Sequence, residues 1–173
     1  YVILECGSVA RGDANKNSDK DVVCIWRGEK PPFNYIYEKY GETSFYSLSC
    51  IKKMRDKGSL FLTHLDVDSK YLAGDTRLIN VFRGYRPAKH LIERTLLDTI
   101  NFISEIIWFP DSLHGYYWLC DVLYVSLRNC IFCINALNGR YLFGFEESMR
   151  VFPLSAKDIS IMLHIREAKY AYR

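Results

Sequence analysis

The alternation of apolar and polar positions predicts a sheet in the first part of the chain. Tyr1 to Cys6 and Asp19 to Trp26 are apolar, β-prone runs separated by a polar loop. Thr43 to Ser49 alternates as a half-buried strand does, while Arg27 to Phe33 is rich in turn residues and predicts a surface loop. We expect the three strands to pair in one mixed sheet.

Short helical patterns follow these strands. Cys50 to Lys57 has helical periodicity and ends at Gly58, a residue type that often terminates helices. Ser59 is placed to cap a second short helix, and Val67 to Ala73 has the pattern of a hairpin. These segments are predicted to complete the sheet domain.

Beyond Pro87 the apolar positions follow a helical period. Residues 88–108 carry an apolar stripe, and Leu113 to Ala136 is apolar on nearly all sides, as expected for the central helix of a small bundle. The fold class is therefore α+β, with a small mixed β-sheet domain over residues 1–80 and an α-helical bundle over residues 81–173.

Two shorter helices are predicted near the end of the chain. Gly139 to Glu147 reads as a turn that leads into a short helix. Ser155 and Asp158 have the spacing of a capping box, in which two residues satisfy each other's backbone amide groups at a helix start. We expect a last helix from this box to about Tyr170.

Composition is typical of a globular protein in a reducing compartment. Hydrophobic residues make up 49% and charged residues 25%, which excludes a disordered chain, and the net charge of +3 permits a nucleic-acid partner without indicating one. The six cysteines lie mostly in apolar runs, and we interpret Cys130-x-x-Cys133 as core packing rather than a metal site. No uncharged apolar run reaches the length of a membrane span and no cleavable signal is evident, so a cytoplasmic protein with no membrane partner is predicted.

A candidate phosphate site follows the first strand. The strand runs directly into Gly7-Ser8, where a small residue lets backbone amide groups approach an anion closely. Ser8 opens a short helix that continues to Arg11, and the first amide groups of such a helix point at whatever occupies the turn. We therefore expect a bound phosphate here.

A candidate metal site stands at the head of the second strand. Side chains two residues apart on a strand share a face, so Asp19 and Asp21 should project together while Lys20 points away. Two carboxylates this close repel each other unless a cation lies between them, and hard oxygen ligands suit Mg²⁺ or Mn²⁺. Asp19 and Asp21 are the predicted metal ligands.

Together these motifs resemble a known signature. Gly7-Ser8, Arg11-Gly12-Asp13 and Ser18-Asp19-x-Asp21 are similar to the signature of the polymerase-β-type nucleotidyltransferase superfamily, especially its minimal nucleotidyltransferase branch. The resemblance implies metal-dependent transfer of a nucleoside monophosphate from a triphosphate, ATP in the first instance, to a hydroxyl of a protein, an RNA or a small molecule. Family members of this size often act in toxin–antitoxin or phage-defence modules.

The resemblance also assigns roles to individual residues. Asp19 and Asp21 would be catalytic as metal ligands. The nucleotide would be bound by Gly7, Ser8, Arg11 and Ser18. The family carries a third carboxylate on its third strand, and Glu42 at the mouth of that strand is the nearby acid. Glu42 is either this catalytic acid or a solvated charge at a strand end; in the second case the chain would be a nucleotide-binding or interaction subunit that lacks the third carboxylate.

Two further features bear on the resemblance. A helix usually precedes the first strand in the family, so we expect either a longer protein or a partner subunit that completes the N-terminal side. The string from Gly58 to Leu65 resembles a segment of a bacterial branch in which an acidic residue and a glycine usually follow, and Asp68-Ser69 stands in that place. We favour a structural interpretation of His64 in this string over a catalytic one.

Arg128 is a charged residue inside the longest apolar run. It lies four residues after Tyr124 and therefore on the same face of the predicted helix. An arginine in so apolar a helix must find an anion or a buried acid. Its partner is either a structural carboxylate, Asp121 or Glu146, or a nucleotide phosphate.

Overall fold

The computed structural model describes residues 1–14, 18–106 and 108–172. Its strands are β1 Val2–Cys6, β2 Asp21–Trp26, β3 Thr43–Ser47 and β4 Lys70–Gly74. Its helices are α1 Gly7–Arg11, α2 Phe33–Tyr40, α3 Leu48–Asp56, α4 Leu60–Asp68, a 3₁₀ helix Thr76–Val81, α5 Lys89–Glu105, α6 Leu113–Leu137, α7 Phe145–Arg150 and α8 Ala156–Tyr172. The protein is α+β, with the sheet at the N-terminus and helices after it, which confirms the predicted fold class.

The described strands form one mixed sheet in the order β3-β2-β1-β4. β1 pairs antiparallel with β2 and β4, and β2 pairs parallel with β3. Successive side chains of a strand point to opposite faces of the sheet, and apolar residues cover both of these faces. One face packs on Ile51 of α3 and on Leu62 and Leu65 of α4, and the other packs on Ile36 of α2. We call these the α3–α4 face and the α2 face.

Two local predictions differ from the structure. The hairpin predicted over Val67 to Ala73 is wrong, because α4 continues to Asp68 and the rest of that segment is β4, which pairs with β1. Helix α2 was not predicted, since it is rich in aromatic residues and buries only Ile36 fully among its residues. The third predicted strand ends at Ser47, whose hydroxyl accepts a hydrogen bond from the Cys50 amide at 3.2 Å and caps α3.

The chain forms two compact units, Tyr1–Leu91 and Ile92–Arg173. The sequence predicted a division after residue 80. The residues that follow this point still belong to the first unit because Phe82, 1% exposed, is part of the core that covers the α3–α4 face.

The second unit has its own core between α6, α7 and α8. Its buried members are Tyr124 and Ile131 of α6, Phe145 and Met149 of α7 and Met162 of α8. The capping box that opens α8 is present: the Ser155 hydroxyl donates to Asp158 Oδ2 at 2.6 Å and accepts from the Asp158 amide at 3.2 Å. Hydrogen bonds from Ser155 lower the pKa of the Asp158 carboxyl.

Helix α6 is the one described helix that is long and apolar enough to cross a membrane, judged by length and composition alone. A core helix of a soluble protein meets the same criterion, and 33% of the apolar window is buried within the protein. The first turns of α6 expose Leu113, Tyr116 and Trp118. The cytoplasmic location and the absence of a membrane partner stay predictions.

Candidate functional site

The predicted phosphate turn and one predicted metal ligand meet at one edge of the sheet. Cys6 at the end of β1 pairs with Asp21 at the start of β2, so α1 begins beside Asp21. Gly7 has φ +76°, and a Cβ added to it would overlap Oδ2 of Asp21 and lie 3.3 Å from its Cγ. The backbone of Gly7 is thus packed directly against the Asp21 carboxylate, an approach that only glycine permits.

Asp19 precedes the strand. Because β2 begins at Asp21, the alternation of strand side chains does not determine the direction of Asp19, and its pairing with Asp21 stays a prediction. Lys20 forms an ion pair with Glu5 at 3.5 Å. Glu5 alternates with Cys6 along β1 and so belongs to the α2 face, which agrees with the expectation that Lys20 points away from Asp21.

Glu42 is brought to the same edge of the sheet as Asp21. In the parallel pairing of β2 with β3, Val22 is opposite Thr43. Asp21 directly precedes Val22, and Glu42 directly precedes Thr43. Strand β3 has the sequence Thr-Ser-Phe-Tyr-Ser and carries no acid, and Glu42 is exposed. Glu42 is therefore the acid that the register brings to this edge.

A network that the sequence did not reveal joins α1 to α4. Arg11 Nη1 donates to Asp68 Oδ2 at 3.0 Å, and His64 Nε2 lies 3.3 Å from the same oxygen. Arg11 also pairs with the exposed carboxylate of Asp13 at 3.3 Å. The guanidinium expected to neutralise a triphosphate is thus bound by two carboxylates of the protein itself.

Burial and charge define the ionisation of this cluster. Burial alone would raise the pKa of the Asp68 carboxyl, but hydrogen bonds from His64 and Arg11 outweigh it and lower the pKa. Burial, followed by the negative charge of Asp21, raises the pKa of the Cys6 thiol to about 12, an effect that Arg11 reduces and Asp68 increases. Cys6 therefore lies within the electrostatic reach of both Asp21 and the Arg11–Asp68 pair, so the two groups share one neighbourhood.

The histidine of this network fits the structural interpretation. His64 and Asp68 are four residues apart on α4, a spacing that puts them on one helical face, and this was the only sequence signal for their contact. The ring of His64 also lies 6.4 Å from that of Phe61 in an edge-to-face arrangement. Both its polar and its apolar surfaces are in contact with the protein.

Arg128 lies in α6 of the second unit, among aromatic rings. Its Cζ is 5.8 Å from the ring centroid of Tyr124 and 5.7 Å from that of Phe132. Of the two carboxylates predicted as structural partners, Glu146 is bound by Arg166, at 3.2 Å from Nη1 and 3.3 Å from Nη2. Glu146 is therefore engaged by another arginine.

The donor set fits a metal ion that binds together with phosphate. In the ranges that the structure describes, no group of three or more His, Cys, Asp or Glu side chains is arranged to hold a metal ion. Mg²⁺, however, commonly takes only one or two protein carboxylates and completes its octahedron with substrate phosphate oxygens and water. Asp21, with Asp19 two residues before it, offers hard oxygen ligands of that kind beside the Gly7 turn.

No protein-family model, curated protein or solved structure matches the chain. The similarity to the polymerase-β-type nucleotidyltransferases therefore rests on the residues quoted above and stays a prediction. What the structure adds is the proximity of Gly7, Asp21 and Glu42 at one edge of a mixed sheet.

Proposed function

We propose that this protein transfers a nucleoside monophosphate from a triphosphate, ATP in the first instance, to a hydroxyl group in a reaction that needs Mg²⁺ or Mn²⁺. The observation that supports this most directly is the packing of Gly7 against the Asp21 carboxylate. A Cβ at Gly7 would overlap the carboxylate, so glycine is what lets a turn suited to a phosphate lie directly beside a carboxylate suited to a metal ion. The signature strings of the nucleotidyltransferases support the same function.

In this proposal each residue at the edge has a distinct role. The amide groups from Gly7 to Val9 and the Ser8 hydroxyl bind the terminal phosphates, and Ser18 contributes at the other end of the loop. Asp19 and Asp21 hold the divalent ion, which neutralises phosphate charge and makes the attacking hydroxyl more acidic. Arg11 acts indirectly, since its ion pair with Asp68 fixes α1 on α4.

Glu42 is the proposed base. The acceptor oxygen forms a bond to the α-phosphorus, the bond between that phosphorus and the pyrophosphate oxygen breaks, and the acceptor proton passes to the Glu42 carboxylate. The acceptor is a hydroxyl of a protein, an RNA or a small molecule. A partner subunit that completes the N-terminal side and a role in a cytoplasmic toxin–antitoxin or phage-defence module belong to the same proposal.

A second candidate function is favoured by the composition of β3. That strand carries no acid, and Glu42 lies exposed one residue before it. Without a third carboxylate at the site, the chain would bind the nucleotide and a metal ion but lack the base that the transfer needs. It would then act as a nucleotide-binding or interaction subunit.

Transfer of label from α-labelled ATP in the presence of Mg²⁺ separates the two functions. The full chain is incubated with a cell lysate as the source of acceptors, and label is counted in the protein, RNA and small-molecule fractions. Asp19→Asn combined with Asp21→Asn should abolish labelling, and Glu42→Gln should lower the rate by about 100-fold, the lower end for loss of a general base. Glu38→Gln is the matched control, because Glu38 is an exposed acid on α2. This helix packs on the α2 face of the sheet, whereas Asp21 pairs with Cys6 of the α3–α4 face.

Binding of a fluorescent ATP analogue is measured on the same variants. Mg²⁺-dependent binding by the wild type without any labelled product supports the second function. The absence of Mg²⁺-dependent binding contradicts both functions, and equal labelling by the wild type and the Asp19/Asp21 double variant contradicts the transferase.

A further inference from the structure

The solvent side of α3 carries a concentration of positive charge. Four of the six side chains at residues 52–57 are cations and one is an acid. The cations are Lys52, Lys53, Arg55 and Lys57, and all of them are exposed. Cations near the end of a helix are favoured by the helix dipole, but an exposed face that serves only solubility usually mixes both signs of charge. The predominance of one sign suits an anionic partner.

The segment 82–86 is attached to this helix and adds to its charge. Arg55 Nη1 donates to the Val81 carbonyl at 2.8 Å, and the Tyr85 hydroxyl donates to the Arg55 carbonyl at 2.6 Å. The Arg55 Cζ also lies 5.2 Å from the centroid of the Tyr85 ring. Arg83, which is exposed, stands in sequence between these two points of attachment. The segment therefore brings a further cation to the border of α3.

Helix α4 holds the same segment from its other side. Asp66 accepts from the Gly84 amide at 2.9 Å and from Arg86 Nη1 at 2.6 Å. The Thr63 hydroxyl donates to the Tyr85 carbonyl at 3.2 Å. Because these hydrogen bonds fix the backbone of the segment, little conformational freedom of that backbone is left to lose when a partner binds. The surface is thus preorganised.

Much of this charge is not compensated by acids. We call residues 48–57 and 82–86, together with Asp66, the α3 surface. It has six cations and two acids, a net charge of +4, whereas the whole chain has a net charge of +3. Lys52, Lys53, Lys57 and Arg83 form no ion pair with any residue that the structure describes. The positive charge of the protein is therefore concentrated here.

The composition of the α3 surface indicates the class of partner. The large apolar side chains that the protein exposes lie outside the segments 48–57 and 82–86, both of which are fully described. Protein interfaces are depleted in lysine and depend on aromatic or apolar anchors, and stable membrane binding also uses inserted apolar side chains. Interfaces with nucleic acids are polar and strongly positive. A nucleic acid is therefore the partner that this surface fits best.

We propose that the α3 surface binds the phosphate backbone of a nucleic-acid strand. Lys53 and Lys57 are one helical turn apart, with about 6 Å between their Cβ atoms, so each can contact a different phosphate of one strand. Lys52 and Arg83 contact further phosphates, and binding releases the counterions condensed on the strand. The surface lies within the first unit, and the proposal does not rest on the transferase activity.

Fluorescence anisotropy of the full chain with a fluorescein-labelled RNA of about 20 nucleotides tests this, with EDTA present and no nucleotide added. Three lysines of the α3 surface are changed together, as Lys52→Gln, Lys53→Gln and Lys57→Gln. The matched control changes three exposed lysines on other elements, as Lys30→Gln, Lys70→Gln and Lys157→Gln. Both variants lose the same charge, so a difference between them reports position.

The salt dependence gives the expected size of the effect. Each phosphate contact of a single strand contributes about 0.7 to the slope of log affinity against log salt, so the α3 triple variant should lose about 2 from that slope. At about 150 mM salt it should bind at least about tenfold more weakly, while the control stays within about twofold of the wild type. Arg83→Gln alone should lower the slope by about 0.7, which keeps the test decisive if the triple variant fails to fold.

Single-stranded DNA and poly-glutamate complete the experiment. Equal binding of DNA of the same length supports contacts to phosphates alone, and stronger binding of RNA adds contacts to the 2′-hydroxyl. The proposal is overturned if the wild type binds neither strand or if the control variant loses as much affinity as the α3 variant. It is also overturned if poly-glutamate displaces the labelled RNA as well as unlabelled RNA does at equal charge.

Discussion

Replacing Asp68 with asparagine removes the charge that joins α1 to α4 while it keeps the size of the side chain. The Asp68 side chain is 9% exposed, and its Oδ2 lies 3.0 Å from Arg11 Nη1. The same oxygen lies 3.3 Å from His64 Nε2. In this variant the exposed Asp13 is the one of the two acids that can still form an ion pair with Arg11, whose side chain is 17% exposed.

The expected loss of stability is about 3 kcal/mol at neutral pH. Two unit charges 3.0 Å apart attract each other by about 1.4 kcal/mol in water and about 5.5 kcal/mol at an effective dielectric constant of about 20. Removing one partner of a buried pair typically costs about 3 to 5 kcal/mol. Because Asp13 and some water remain near Arg11, we expect the lower end of that range.

The loss should depend on pH in a defined direction. The folded protein lowers the pKa of the Asp68 carboxyl from its ordinary value of 3.8. Its stabilising contribution is therefore fully present above that ordinary value and disappears as the pH falls through the lower, folded-state value. The wild type and Asp68→Asn should therefore become similar in stability only as the pH falls through the folded-state pKa of Asp68, which lies below 3.8.

Urea unfolding across this pH range measures the effect. A double-mutant cycle with Arg11→Met isolates the pair, and Asp56→Asn, which neutralises an exposed acid of α3, is the control. A loss below about 1 kcal/mol at neutral pH would mean that the pair behaves as a surface ion pair. That result, or a difference that persists unchanged in acid, would refute the reasoning.

Two further predictions concern the turn and the thiol beside it. In urea unfolding, Gly7→Ala should lower the free energy of unfolding by about 1 kcal/mol or more beyond the loss caused by Gly12→Ala. Both glycines have positive φ, but only a Cβ at Gly7 would meet Asp21. Equal losses in the two variants would contradict the close approach of Gly7 to Asp21. Cys6 should resist alkylation by iodoacetamide at about pH 8 while the partly exposed Cys50 reacts, because Cys6 is 3% exposed and its pKa is raised to about 12. Mass spectrometry that finds Cys6 labelled ahead of Cys50 in the folded protein would oppose this.

The elements that follow from local patterns were predictable. The apolar residues of β1 and α6 follow the period of a strand and of a helix, respectively, which is enough to predict both elements. The capping box of α8 depends on two residues that are three positions apart. β4 was missed because it pairs with β1, which is distant in sequence, and a short strand-like run does not indicate which strand it pairs with. α2 was missed because aromatic residues have weak helix propensity and its position is fixed by packing on the sheet.

The candidate site shows the same division between local and distant information. Gly7 and Asp21 belong to one short strand–turn–strand string, so their proximity follows from the antiparallel pairing of β1 and β2. The contact between Arg11 and Asp68 joins residues 57 positions apart. Only the packing of α1 on α4 brings these two together, so no local pattern indicates that Arg11 is bound by an acid.

This contact changes the chemistry expected at the turn. For Arg11 to neutralise a triphosphate directly, it would have to leave Asp68 at 3.0 Å, and Asp68 would then remain as a mostly buried, ionised carboxylate. Lys20, the other cation named near the turn, is paired with Glu5 on the α2 face. A triphosphate at Gly7-Ser8 would therefore be neutralised mainly by a divalent ion at Asp19 and Asp21, which is why the proposed nucleotide binding should depend strongly on Mg²⁺ or Mn²⁺.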